Sequence, residues 1–202
     1  AVGTAGVPGT AAAPVAAAAS GVAAVAGEKI TVTTDVLEAT LDTTGGSLVR
    51  LKLSKYSDAV DATQKVVLFD QSAQRVYVAQ TGLITTQAGL SLPNHLTAMT
   101  VQPGERALKD GANELNVVFE SPEANGLKLV KTYTFRRGDY VVGVKHELRT
   151  ASAAPVSAQL YLQLARDGNP PAGESSFYST FTGPALYTDA SKFHKIDFAD
   201  IA

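Results

Sequence analysis

No cysteine occurs among the 202 residues, and that absence removes disulfides, thiolate nucleophiles and Cys-based zinc sites together. Tryptophan is missing as well, so seven Tyr and seven Phe must supply the aromatic packing. Charge is sparse, at 18% of residues against 45% hydrophobic, the proportions of an ordinary soluble globular protein. A formal net charge of -2 gives no electrostatic drive toward DNA, RNA or anionic lipid. The chain does not begin with Met and lacks a basic segment followed by a hydrophobic stretch, so no signal peptide is visible. Its longest uncharged run, residues 1–27, is Ala-dominated and interrupted by Gly3, Gly6, Pro8, Gly9, Pro14 and Gly21. A membrane-spanning helix needs about 20 predominantly apolar residues, and a run whose only larger apolar residue is Val would insert poorly.

Catalytic signatures are missing too. There is no GxSxG, no GxxxxGK[ST], no GxGxxG and no HExxH, which leaves nucleophile elbows, phosphate loops and zinc helices without support. His95, His146 and His194 are each isolated, with no second His at ligand spacing, so no metal and no cofactor is expected. Carboxylate pairs of the glycosidase kind assemble in space from distant strands, and no spacing here points to one.

What the sequence does contain is strand pattern. Residues 1–27 form a low-complexity Ala/Gly/Val/Thr/Pro segment, which cannot bury enough surface to offset its ordering entropy and reads as a flexible tether. From Glu28 the pattern turns to alternation with period two, the mark of strands with one apolar face. Ile30 and Val32, then Leu37, Ala39 and Leu41, then Val49, Leu51 and Leu53 alternate with polar residues, with a turn at Thr43-Thr44-Gly45-Gly46. Residues 56–64 read as a polar connection holding one helical turn. Further strands are expected over 66–69, 75–79 and 115–119, with 82–86 continuing the sheet. Leu127, Leu129, Lys131, Tyr133 and Phe135 share one strand face, and Tyr140, Val142, Val144, His146 and Leu148 share the next. Between them Gly138 and Asp139 tolerate the angles of a hairpin reversal. Val156, Ala158, Leu160, Leu162 and Leu164 mark the apolar side of another long strand, and shorter β-like pieces run over 177–181, 185–188 and 193–198. No segment holds a 3.6-residue apolar period, and about 175 residues of antiparallel strand bury a core only as stacked sheets or a barrel. The expected class is all-β, a large antiparallel β-sandwich over 28–202.

Two features carry paired readings. Arg137-Gly138-Asp139 is the tripeptide that integrins recognise, yet a hairpin turn between charged ends accounts for it with less. The aromatic group Phe177, Tyr178, Phe181, Tyr187 and Phe193 is either a partner-binding platform, since aromatics dominate such contacts, or core packing for short strands. Core packing is the expectation from composition; docking is the functional reading.

Thr34-Asp35-Val36-Leu37 leading through Thr44-Gly45-Gly46 into 48–53 resembles the opening of the periplasmic domain of YidC-type membrane protein insertases. Residues 78–83, 136–140 and 181–185, and the end Lys195–Ala202, recur in the same order in that family. The resemblance implies a β-supersandwich similar to galactose mutarotases, missing its C-terminal part, on a variable linker. It implies a non-catalytic periplasmic domain of a bacterial inner-membrane protein, contacting SecDF (SecF) and the Sec translocon while the full-length protein assists insertion of inner-membrane protein substrates. The alternative function is a carbohydrate-binding or mutarotase-like sandwich.

Overall fold

The computed structural model describes residues 27–151, 155–169 and 181–201. The expected tether, apart from Gly27, lies outside the described residues, as do Phe177 and Tyr178. In chain order the strands are β1 Lys29–Thr33, β2 Leu37–Asp42, β3 Ser47–Ser57, β4 Lys65–Gln71, β5 Val76–Ile84, β6 Thr100–Val101, β7 Glu114–Glu120, β8 Leu127–Arg136, β9 Gly143–Thr150, β10 Gln159–Arg166, β11 Ala185–Thr188 and β12 Lys192–Lys195. A 3-10 turn at Phe198–Asp200 is the one helical element among the described residues.

Pairing is antiparallel between neighbours. One sheet runs β1-β2-β3-β4-β5-β10, a second runs β6-β7-β8-β9, and β11-β12 stands as a two-stranded hairpin. The expected antiparallel sandwich is present. Alternation builds its core: Ile30 and Val32, Leu37, Ala39 and Leu41 point inward from the first sheet. Leu115, Val117, Phe119, Leu127, Leu129, Tyr133 and Phe135 meet them from the second. Each large apolar side chain removed from water contributes about 1.5–3 kcal/mol, which is what holds two sheets face to face.

The β2–β3 turn shows why two glycines stand together. Gly45 and Gly46 have φ of +67° and +55°, the left-handed region that side chains with a Cβ avoid. A Cβ on Gly45 would also lie 2.2 Å from the His95 carbonyl oxygen. The 94–97 loop rests on this turn, with Gly45 N–H donating to Thr97 O at 2.7 Å and Met99 N–H to Thr43 O at 2.8 Å.

Two expectations are corrected. The strand expected from Tyr140 begins at Gly143, the ladder running from Thr134↔Gly143 to Leu127↔Thr150. The reason is local competition: the Asp139 carboxylate takes the Val141 N–H at 2.9 Å, and Asp35 takes the Gly138 N–H at 3.1 Å, which turns the chain instead of pairing it. Over 58–64 there is no helical turn. Asp58 and Asp61 carboxylates accept the Val60 and Thr63 amides at 2.8 and 2.9 Å, a pair of Asx-type bends. The apolar side of β10 that the alternation marks is uncovered, with Leu160, Leu162 and Leu164 exposed by 59, 69 and 56%. β10 is the edge of its sheet, and among the described residues Pro184, Phe198 and Ile201 share a cavity wall with its Leu164 end while the row stays exposed.

Candidate functional site

The β11–β12 hairpin places two of the five aromatic candidates side by side. Tyr187 and Phe193 are register partners across it, so their rings lie on the same face. They are 66 and 63% exposed. Core packing is therefore overturned for this pair, because a two-stranded ribbon with no sheet stacked on it among the described residues has no interior to offer. Leu186, opposite His194 on the other face, is half exposed as well. Phe181 is the half-buried member, its ring lying 5.1 Å from the Lys195 ammonium, while Lys192 sits 5.9 Å from the Tyr187 ring. Lys192 itself has φ +54°, the left-handed residue that closes the hairpin.

Beside the hairpin opens a cavity of about 640 Å³ walled by Tyr77, Leu164, Arg166, Pro184, Phe198 and Ile201 among others. Arg166 is the β10 residue opposite Tyr77, and its guanidinium lies 5.9 Å from both the Tyr77 and the Phe198 ring centroids. That separation is within the range of cation–π attraction. One guanidinium nitrogen donates to Asn169 O at 3.2 Å, whereas buried Nε has no hydrogen-bond partner.

A second cluster joins the two sheets from inside. Lys131 is fully buried on β8, and its Nζ donates to the carbonyls of Gly45 at 2.5 Å, Thr81 at 3.0 Å and Gly46 at 3.4 Å. Tyr133 Oη donates to Gly46 O at 2.6 Å. From β9, His146 Nε2 meets Thr81 Oγ1 at 2.8 Å, while its buried Nδ1 is unpartnered. Burial pushes Lys131 down to about 8 and the Tyr133 hydroxyl well above the usual phenol range. Burial, with the Lys131 charge nearby, brings His146 down to about 4 and lowers His95 as well. Among the described residues no carboxylate is in ion-pair contact with Lys131, and the Lys131 and Tyr133 donors are spent on main-chain carbonyls. It fastens the β2–β3 turn and β5 to the second sheet. Sequence reading places Lys131 in phase with Leu127, Leu129, Tyr133 and Phe135, and a cation on a core face was the available signal; its partners, being backbone groups, left none.

The remaining candidates are dispersed. His95 is in the loop after β5, its Nδ1 bonded to the Tyr161 hydroxyl, and His194 is on the exposed hairpin. No group of three or more His, Asp or Glu side chains suited to a metal ion occurs among the described residues. Arg137 of the Arg-Gly-Asp tripeptide is engaged internally, donating to Ala112 O at 2.9 Å and Lys109 O at 2.6 Å. That engagement favours the turn reading. Among the described residues no helix is long and apolar enough to cross a membrane.

Comparison with known proteins gives a consistent likeness. The family model described as the YidC periplasmic domain matches residues 29–202. The chain is 52% identical over 195 residues to a membrane protein insertase YidC from Cupriavidus necator, covering 96% of this chain and 34% of that protein. Proteins of the same name from Janthinobacterium sp. and Bordetella pertussis are each 47% identical over 174 residues, covering 86% of this chain and 30% of theirs. The chain thus spans about a third of the length of these curated relatives. The resemblance carried by 34–37, 44–53, 78–83, 136–140 and 181–185 is borne out.

Proposed function

The chain belongs to the YidC periplasmic domain family, and from that premise we propose that it is a non-catalytic docking module of a membrane protein insertase. It stands in the periplasm beside the inner membrane and engages the Sec machinery, with SecF of SecDF as the partner, while the whole protein handles inner-membrane protein substrates. One observation carries the docking reading. Tyr187 and Phe193 form a cross-strand aromatic pair on a hairpin, both about two-thirds exposed, and exposed aromatics are the usual anchors of protein interfaces. Phe181 lies beside Lys195 of that hairpin, and Phe177 and Tyr178, the remaining candidates, lie outside the described residues.

The test is capture of purified SecDF by this domain, with Tyr187→Ser and Phe193→Ser combined. Because both side chains are exposed, the double variant should keep its melting temperature within a few degrees and lose capture by tenfold or more. Unchanged capture by a folded double variant would remove the hairpin from the interface.

The domain reading is a proposal of the same kind: residues 1–27 tether a sandwich that residues 28–202 build only in part. The leucine row of β10, on a sheet edge with no cover among the described residues, is the surface that further polypeptide would close.

A further inference from the structure

The cavity beside the aromatic hairpin holds a cation with no counter-ion among the described residues. Its volume of about 640 Å³ is within the usual range for small-ligand sites. The walls come from separate parts of the chain: Tyr77 on β5, Leu164 and Arg166 on β10, Pro184 just before β11, and Phe198 and Ile201 at the 3-10 turn. Leu164 and Ile201 are each 56% exposed. Apolar surface therefore stays in water there, and a ligand with an apolar body would cover it.

Arg166 is the charged group of this wall. A guanidinium carries five N–H donors. One nitrogen donates to Asn169 O, buried Nε has no partner, and no carboxylate pairs with the group among the described residues. The carboxylates nearest to the wall in sequence are otherwise placed. Asp167 accepts the main-chain N–H groups of Val76 and Asn169, while Asp197 and Asp200 are exposed. Arg75 brings a second guanidinium to 5.8 Å from the Tyr77 ring centroid, and its donors go to Val67 O at 3.1 Å and Leu68 O at 2.8 Å. Two cations thus share one ring, each held by carbonyls and neither by an anion.

We propose that this cavity binds a small carboxylate with an apolar body, its oxygens on the Arg166 guanidinium and its hydrocarbon part against Leu164, Phe198 and Ile201. The planar fork of a guanidinium matches the two oxygens of a carboxylate, and a buried donor left unpaired gains most from an acceptor. An inorganic anion fits less well, because hydrocarbon and ring make up most of the surrounding wall. Of the exposed β10 leucines only Leu164 lines the cavity, so the site is distinct from the open row. A free alkanoate and the apolar C-terminus of a peptide share the required chemistry.

The experiment is an amide NMR titration of the 202-residue chain with octanoate, with octanamide as its uncharged counterpart, and with acetyl-Leu-Phe as free acid and as amide. At least one acid should give saturable shifts confined to residues 77, 164–166, 183 and 198–201, with its amide binding about tenfold more weakly. Which acid responds identifies the source. Arg166→Gln should weaken that binding by about tenfold, and Arg166→Lys, which keeps the charge without the fork, by less. Ile201→Ser, at an exposed side chain whose change leaves the fold intact, should weaken it severalfold. Four outcomes overturn the proposal: no saturable shift with either acid, amides that match their acids, shifts centred on Leu160 and Leu162, or Arg166→Gln and Ile201→Ser proteins that bind like the parent. The inference does not rest on the docking reading, since Tyr187 and Phe193 do not line the cavity, and the two fail separately.

Discussion

Because the Lys131 ammonium meets three main-chain carbonyls and no carboxylate, its charge is solvated by peptide dipoles alone. Truncation by Lys131→Ala removes those donors and leaves a void, so urea unfolding should show a loss of about 3–5 kcal/mol. Lys131→Met restores the packing without the donors and should lose less. The protonation sign follows from the direction of the shift. A base lowered from 10.5 to about 8 binds fewer protons folded than unfolded between those values, so stability rises with pH across that window. The rise should be on the order of 2 kcal/mol by pH 10, where Tyr133, raised from 10.0, begins to reverse it. A flat profile in native protein, or the same rise in Lys131→Met, would contradict this account. His146 acts at the acid end: lowered from 6.5 to about 4, it costs stability progressively as pH falls through that interval. The urea midpoint should decline from pH 6.5 to pH 4 in the native protein and more shallowly in His146→Leu.

At the scale of elements, alternation made most strands legible. Ile30 and Val32, or Leu115, Val117 and Phe119, announce both the strand and its buried side because side-chain period and burial coincide. The two-residue strand β6 is too short for any period to declare. Tyr140 to Val142 have strand pattern but lose pairing to the Asp35 and Asp139 carboxylates, and Asp35 lies 103 residues from Gly138, beyond the reach of local reading. For β10 the alternation correctly separated Leu160, Leu162 and Leu164 from Tyr161 and Gln163, but a pattern reports faces and not what covers them. The aromatic cluster was visible as composition, while the exposure of Tyr187 and Phe193 depends on β11 and β12 forming a ribbon by themselves.

Across the whole molecule, the exposed β10 row predicts a measurable surface. The 202-residue chain should bind a hydrophobic dye such as ANS while retaining its native spectrum, because contiguous exposed apolar area is unusual on a closed domain. A longer product extended beyond residue 202 should bind less dye and melt higher. Equal dye binding by the two products would mean that the leucine row serves another end. The interior clasp also has a temporal consequence. Lys131 reaches Gly45 across 86 positions of sequence and Thr81 across 50, so the glycine turn cannot acquire its final anchor while the first sheet forms alone. Long-range closures of this kind slow assembly, and the slow phase of refolding should be the one that Lys131→Met alters.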